Sequence, residues 1–365
     1  MEGNRRTSWH ALEKRMGVNE PNTHAGNTLR CNPKETLRLA SFGSSWWRLA
    51  LLLALSLLAG CAGRSTGLVP EQQTIVVQAE ATAPLVLTKA PVFALRDVQE
   101  RHNKIGRVSA AGTKGAEAIS IDPEVPVIYA DTRPFTTAKG VYTNLVYRIH
   151  FPELPFSLIP FHLGAGKHVG LLVILTLDAR QQVLLVTTAS TCGCYAVSVP
   201  TQSLPPSSYP DDWPIKPLAV YGERLPARLP SIGENDILQV QVRPDVQRIM
   251  DLQVLPKQSV PPGTVRKAEV VGLAALKKLP LADGSLTSFY YSDWPLTGHV
   301  KGAIKPWESL LLSLVSLDFF IGMDKEYGDT RESGNPFYTS LKPWNRRASD
   351  MNDFAGYLRF YGWKL

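Results

Sequence analysis

The sequence contains little cysteine. Of its 365 residues four are cysteine, at positions 31, 61, 192 and 194. This number excludes a small fold stapled by many disulfides. Such staples are also unnecessary, because a chain of about 300 residues buries about three quarters of the surface that it exposes when unfolded. We therefore expect an apolar core, and each cysteine needs its own explanation.

An apolar run long enough to cross a bilayer is missing from the N-terminal part. The run over residues 49–60 contains 12 uncharged residues. A membrane-spanning helix needs roughly 20 apolar residues. This run therefore indicates a targeting segment and not a transmembrane helix.

Excess positive charge is also scarce once residues 1–60 are set apart. The whole chain has a formal net charge of +7, but residues 61–365 carry 31 Lys or Arg against 28 Asp or Glu, a net charge of +3. Beyond Arg346 and Arg347 there is no dense basic run. This balance argues against a nucleic-acid partner.

Two local signatures of catalysis are missing as well. The sequence has no Ser-x-x-Lys and no paired-carboxylate pattern, and no enzyme class is indicated. The segment HLGAGKHVG (162–170) lacks the glycine spacing of a phosphate loop. The acidic segment DKEYGDTRE (324–332) lacks the pattern of a calcium loop and is interpreted as a solvated helix exit.

A targeting signal is the clearest motif that is present. In WWRLALLLALSLLAGCAGR (46–64), Arg48 precedes a short apolar run that ends in small residues, a pattern typical of a secretory signal. Its segment LAGC (58–61) resembles the lipobox of bacterial lipoproteins. The resemblance implies cleavage by signal peptidase II before Cys61, acyl chains such as palmitate on that residue, and, from Ala62, the outer membrane facing the periplasm.

The domain plan follows from this signal. Residues 1–60 are expected to be a presequence, whose length indicates a translation start nearer Met16 or later. Residues 61–120 are low in aromatics and are interpreted as a lipidated N-terminus and spacer, although two short apolar stretches in them could be strands. Residues 121–365 are expected to form a globular, β-rich domain.

The strands of that domain are predicted from alternation. Residues 141–151 are apolar at odd positions and polar at Asn144, Arg148 and His150, which predicts a half-buried strand with these polar side chains at the surface. The segments 168–177 and 182–190 are apolar on both faces and predict a hairpin covered on two sides. Residues 237–255 predict a second hairpin, in which Leu238, Val240 and Val242 lie opposite Val254, Leu252 and Met250.

The remaining segments complete the prediction. Residues 200–230 contain eight prolines in 31 positions, which predicts an extended connection and not a sheet strand. It is either a domain boundary or, as its aromatic residues favour, an ordered loop wrapping the sheet through Tyr209, Trp213 and Tyr221. The C-terminal part, 306–365, is expected to be helical. It has a buried helix over 307–321 and a last helix capped by Ser349. The predicted fold class is α+β, with a predominantly antiparallel, sandwich-like or barrel-like core and two C-terminal helices.

The segment STCGCY (190–195) is the main candidate site. A hairpin turning around residues 178–182 would place His168 opposite Cys192, with Cys194 on the same face and His162 nearby. These four residues could bind copper or zinc. Cys192 and Cys194 could instead form a disulfide, exchange thiols, or be two inert buried side chains.

The functional hypotheses follow from location and from these thiols. The leading one is a lipid-anchored envelope protein that acts as a non-catalytic binding or scaffold module, with an envelope protein or glycan as partner. The alternative is a metal or thiol-redox protein that uses Cys192, Cys194 and His168. A hydrolase of envelope polymers is a third hypothesis, which rests on location alone.

Overall fold

A computed structural model of the protein describes residues 71–78, 80, 82–214, 216–259 and 264–365. The described residues belong to one unit, Leu68–Leu365. The predicted presequence, the signal and Cys61 lie outside the described residues. The fold is α+β with a predominance of antiparallel strands, as predicted.

The strands of the described chain are β1 (Gln72–Val76), β2 (Val92–Arg96), β3 (Arg107–Thr113), β4 (Ala116–Asp122), β5 (Val127–Thr137), β6 (Gly140–His150), β7 (Glu153–Leu154), β8 (Gly166–Lys167), β9 (Gly170–Leu177), β10 (Val183–Ser190), β11 (Val197–Pro200), β12 (Leu218–Val220), β13 (Glu223–Leu225), β14 (Asp236–Arg243), β15 (Arg248–Pro256), β16 (Thr264–Lys267), β17 (Glu269–Gly272), β18 (Leu279–Pro280) and β19 (Leu286–Thr287). The α-helices are α1 (Leu85–Thr88), α2 (Pro306–Ser316), α3 (Thr330–Ser333) and α4 (Phe354–Phe360). None of the described helices has the length and apolarity to cross a membrane.

Two sheets form the centre of the fold. One has the strand order β15-β14-β2-β1-β16 and the other β11-β10-β9-β6-β5-β17. Both contribute to one buried apolar cluster, for example through Phe93 and Val240 from the first sheet and Tyr147 and Val173 from the second. This shared core makes the arrangement sandwich-like.

The second sheet is covered on its other face too. Val146, Leu172 and Ile174 pack there in a separate cluster with Phe337 and Tyr357 from the C-terminal part of the chain. All residues of β9 and β10 are consequently buried, which confirms that this hairpin is covered on two sides.

The predicted spacer over residues 61–120 differs from the structure from Gln72 onward. There β1 pairs with β2 and with β16, and Ile75 and Phe93 are fully buried in the core. The segments β3 and β4 form a hairpin. β1 and β2 belong to the first sheet, and the β3–β4 hairpin is a separate two-stranded sheet.

The prediction of a half-buried β6 is wrong. Arg148 and His150 are both 0 % exposed, because the C-terminal layer covers the face on which they lie. Arg148 donates to the carbonyl of Lys325 at 2.8 Å and to Nε2 of His150 at 2.8 Å. The polar residues that alternate along β6 therefore face a second buried region of the protein and not the solvent.

The register of the second predicted hairpin is confirmed for most of its length. Leu238 pairs with Val254 and Val240 with Leu252. A bulge after Gln241 then places Ile249 opposite Val242, so Met250 is not its partner as predicted. The bulge adds one residue to β15 and shifts the pairing beyond it.

The proline-rich connection wraps the body of the protein, as predicted. Trp213 packs on Trp363 at a ring-centroid distance of 4.7 Å and on Tyr209 at 6.4 Å. Tyr221 remains 59 % exposed and contacts Tyr195 edge-on at 4.6 Å. The segment is not free of strands, because Pro200 ends β11 and because β12 pairs with β13 in a separate two-stranded sheet.

The C-terminal part has the two predicted helices, with different details. α2 ends at Ser316, where Leu317 has a φ of 50°, and Leu310, Leu311 and Leu314 are exposed instead of buried. α4 is capped by Asp353, which accepts a hydrogen bond from the backbone N–H of Gly356, and not by Ser349. Much of the rest of 306–365 is turns and loops.

Candidate functional site

The hairpin that leads to the cysteines has a different register from the predicted one. Val183 lies opposite Leu177 as predicted, but a bulge before Leu185 shifts every later pair by one residue. Ser190 therefore pairs with Leu171. The expected placement of His168 opposite Cys192 is wrong, because the bulge adds one residue to β10.

The two histidines of the predicted site make other contacts. His168 has a φ of 58°, and its Nδ1 lies 2.8 Å from the carbonyl oxygen of Lys301. The Nδ1 of His162 lies 3.0 Å from the carbonyl oxygen of Pro155. The Nδ1 atom of each ring thus contacts a backbone carbonyl oxygen. Neither imidazole belongs to the cluster that forms around the thiols.

The residues 192–194 form a tight turn beyond β10. The backbone N–H of Gly193 donates to the carbonyl of Ser190 at 2.8 Å, and that of Ser190 donates to the carbonyl of Cys194 at 2.9 Å. Gly193 has a φ of +92°, and a Cβ there would lie 2.1 Å from the carbonyl oxygen of Tyr338. Glycine is therefore required between the cysteines for two reasons, the left-handed backbone and the close carbonyl.

This turn brings both thiols together with a carboxylate that sequence reasoning missed. Cys192 and Cys194 are not bridged. The Sγ of Cys194 lies 3.2 Å from Oε1 of Glu308. The ligand atoms of Cys192, Cys194 and Glu308 all lie within 4.8 Å of one another.

Glu308 lies in the first turn of α2 and is 6 % exposed. It is the one charged residue in the sequence of that helix, PWESLLLSLVS. A single acid in an otherwise uncharged helix was the signal in the sequence that could have identified Glu308 as a site residue. It was not recognised because the leucines of this helix were expected to form its buried face.

A buried ion pair lies beside the thiols. The Nζ of Lys305 is 3.1 Å from Oδ2 of Asp324, and the two side chains are 3 % and 0 % exposed. Asp324 also accepts hydrogen bonds from the hydroxyl of Thr191 and from the backbone N–H of Gly170. The interpretation of residues 324–332 as a solvated helix exit is therefore wrong at its start. Lys325 is also buried, with its Nζ 3.9 Å from the ring centre of Tyr338.

These neighbours give the two thiols different acidities. The hydrogen bond from Cys194 lowers the pKa of Cys192, against the opposing effect of burial, and Lys305 lowers it further. The same hydrogen bond and burial raise the pKa of Cys194 well above its ordinary value. Burial opposes the charge of Lys305, but Asp324 and the thiols hold its pKa well above the ordinary value. Cys192 is thus the thiol that ionises first.

A cleft of about 890 Å³ reaches this cluster. Cys192, Lys305 and Glu308 lie in its wall. Its lining includes apolar and charged residues, among them Leu154, Ile159, Phe161, Glu223, Arg243 and Arg248. His162 also lines this cleft, so it shares the cavity with Cys192.

The cluster has the dimensions of a tetrahedral metal site. With bonds of about 2.3 Å to sulfur and about 2.1 Å to oxygen, ligand atoms of a zinc ion lie roughly 3.5 to 3.8 Å apart. The Cys194–Glu308 separation of 3.2 Å and the outer limit of 4.8 Å bracket this range.

Comparisons of the chain with protein-family models, with curated proteins and with solved structures give no match in any of the three. Its function is therefore argued from the chemistry of Cys192, Cys194 and Glu308.

Proposed function

We propose that this protein binds one zinc ion through the thiolates of Cys192 and Cys194 and the carboxylate of Glu308. The observation that carries the proposal is the convergence of these three ligand atoms within 4.8 Å, with no bridge between the sulfurs. Thiolates and carboxylates are both ordinary zinc ligands. The role is that of a binding module, in which the protein supplies three ligands and a molecule in the cleft supplies the fourth.

Charge favours zinc over monovalent copper. Two thiolates and Glu308 carry three negative charges, and Lys305 is already paired with Asp324. A divalent ion leaves one of those charges unbalanced and a monovalent ion leaves two, which is costly in a buried site. A hard carboxylate oxygen also suits Zn(II) better than Cu(I).

The test is metal analysis of the full chain, purified under reducing conditions and dialysed against trace zinc. We expect one zinc per chain, and a loss of most of it in Cys192→Ser and in Glu308→Gln. The matched control is Glu223→Gln, which removes a buried acid from the same cleft but outside the cluster, where Glu223 pairs with Arg243 and Arg248. A wild-type chain without zinc, or an unchanged zinc content in Cys192→Ser, would contradict the proposal.

Thiol–disulfide exchange is a second candidate, favoured by the hydrogen bond between two unbridged thiols. In this reaction the Cys192 thiolate attacks a partner disulfide and releases one partner thiolate. Cys194, losing its proton, then attacks the mixed disulfide. The products are a Cys192–Cys194 disulfide and a fully reduced partner. Reduction of a small disulfide such as oxidised glutathione by the zinc-free chain would support this candidate over zinc binding.

The compartment is a separate proposal that rests on the resemblance of residues 58–61 to a lipobox. We propose a lipid-anchored protein of the bacterial outer membrane that faces the periplasm. Labelled palmitate should enter the wild-type chain and not Cys61→Ser. Equal labelling of the two would contradict the anchor and leave the zinc proposal unaffected.

A further inference from the structure

One surface of the protein is strongly apolar and uncovered. It consists of α2 with its flanking residues and of the loop over residues 156–161, and we call it the α2 surface. Its exposed apolar members are Phe156, Leu158, Ile159, Phe161, Ile304, Trp307, Leu310, Leu311, Leu314, Val315, Leu317 and Phe319. Trp307 joins the two parts, with Phe156 and Phe161 each 6.0 Å from its ring centre.

These apolar side chains are much more exposed than the apolar side chains of an ordinary surface helix. Leu314, Phe319 and Ile159 are 81 %, 82 % and 81 % exposed. The polar members of α2 lie on the opposite side, where Ser316 is 0 % exposed and Ser309 donates to the carbonyl of Ile321. A helix that turns its polar residues to the protein and its leucines to the outside is built to contact something apolar.

The acids of the α2 surface are engaged by other residues. Glu308 faces the thiols, and Asp318 accepts a hydrogen bond from Tyr338 and lies near Arg346. The C-terminal end of α2 meets a basic segment, since Arg346 donates to the carbonyl of Ser316. That segment also contains Lys342, the exposed Arg347, and Trp344, which is 77 % exposed.

We propose that the α2 surface docks on an anionic lipid bilayer, with its leucines and aromatic rings in the interfacial layer and the segment 342–347 on the lipid headgroups. Apolar side chains supply burial in such a contact, tryptophan favours the interface, and Lys and Arg are attracted to anionic headgroups. The proposal depends neither on the zinc site nor on a lipid at Cys61.

Photolabelling tests the contact directly, because it reports which part of the chain touches lipid even if the N-terminus is also anchored. The full chain is reconstituted in vesicles of phosphatidylethanolamine and phosphatidylglycerol that contain a phospholipid with a photoactivatable acyl chain. We expect label in peptides covering residues 304–319 and 156–161. In Leu314→Asp, label in these peptides should fall about tenfold, as expected for the loss of one buried leucine contact.

The matched control is Val141→Asp, which places the same charge on another exposed apolar side chain, 61 % exposed in β6. It should leave the labelling of 304–319 unchanged. Replacing phosphatidylglycerol by phosphatidylcholine should lower that labelling severalfold. Label confined to residues before 68, or equal loss in the two variants, would overturn the proposal. So would cross-linking of residue 314 between two copies of the chain, which would assign the surface to self-association.

Discussion

At residue 193 the backbone turns through a conformation that side chains disfavour, directly against the carbonyl oxygen of Tyr338. The two causes can be separated, because Gly222 has nearly the same φ, +89°, and a Cβ added there would meet nothing within 4 Å. A substitution at Gly193 thus measures the effect of the left-handed backbone together with the close contact. A substitution at Gly222 measures the effect of the left-handed backbone alone.

We expect Gly222→Ala to lower the free energy of unfolding by about 1 kcal/mol, the cost of a strained backbone. Gly193→Ala should lower it by about 3 kcal/mol or more, because a methyl group must also displace the chain at Tyr338. Urea unfolding of both variants measures the difference. Equal losses would show that the carbonyl at 338 gives way freely.

His299 predicts a dependence of stability on pH. Burial, and then the charge of Lys325, lower its pKa from 6.5 to about 4. Between these values the unfolded chain binds a proton that the folded chain does not. Stability is therefore complete above pH 6.5 and falls as the pH decreases towards 4, by at most about 1.4 kcal/mol per pH unit for this group.

Urea unfolding of the wild type at pH 7.5 and 5.0 should show that loss, and His299→Asn should show a smaller one. Burial also lowers the pKa of His150 and of His168. Part of the dependence of stability on pH therefore persists in the variant. If the free energy of unfolding fell by the same amount between pH 7.5 and 5.0 in His299→Asn as in the wild type, the assignment to His299 would be contradicted.

Among the elements, β6 differs most from expectation, because its polar side chains are buried. Its fully buried Arg148 contacts Tyr290 at 5.5 Å in addition to its two hydrogen bonds. Arg133 in β5 makes a similar set of contacts, to the carbonyl of Tyr327 at 3.3 Å and to the ring of the same residue at 5.1 Å. It is, however, 32 % exposed.

Arg148→Ala should therefore destabilise the protein by about 3 kcal/mol or more, since it leaves a cavity and an unpaired carbonyl. Arg133→Ala should cost about 1 kcal/mol or less, because water replaces its contacts. Chemical denaturation of the two variants decides this. Similar costs would mean that burial does not determine the contribution of these arginines.

The two faces of α2 give a second prediction for an element. Leu314→Ser should change the free energy of unfolding by about 0.5 kcal/mol or less, because its side chain is already exposed. Ser316→Leu should cost about 1 to 3 kcal/mol by overpacking the buried face. Thermal or urea unfolding measures both, and the reverse order would contradict the orientation of the helix.

These elements show how far sequence reasoning reached. The apolar runs of β9 and β10 and the alternation of β14 identified these strands and much of their pairing. The bulges before Leu185 and after Gln241 leave no sequence signal of that kind, and one of them moved His168 away from Cys192. The polar residues of β6 and the leucines of α2 were misassigned for one reason. Burial depends on what packs on a face, and the covering C-terminal layer is distant in sequence.

At the scale of the whole molecule, zinc binding should raise stability, because only the folded chain assembles the three ligands. At a free zinc concentration 100-fold above Kd, the free energy of unfolding should increase by about 2.7 kcal/mol. Cys192→Ser should remove the increase and Glu223→Gln should retain it. Unfolding of each chain with and without zinc provides the measurement, and an equal increase in Cys192→Ser would place the ion elsewhere.

The contact between Cys194 and Glu308 joins positions 114 residues apart in the chain. A growing polypeptide that stops before α2 offers two sulfurs and lacks the oxygen that completes the triad. The proposed zinc site would therefore be complete only after α2 has been synthesised, and loading would follow synthesis. The zinc that such a site would take up is that of the compartment in which the finished chain folds.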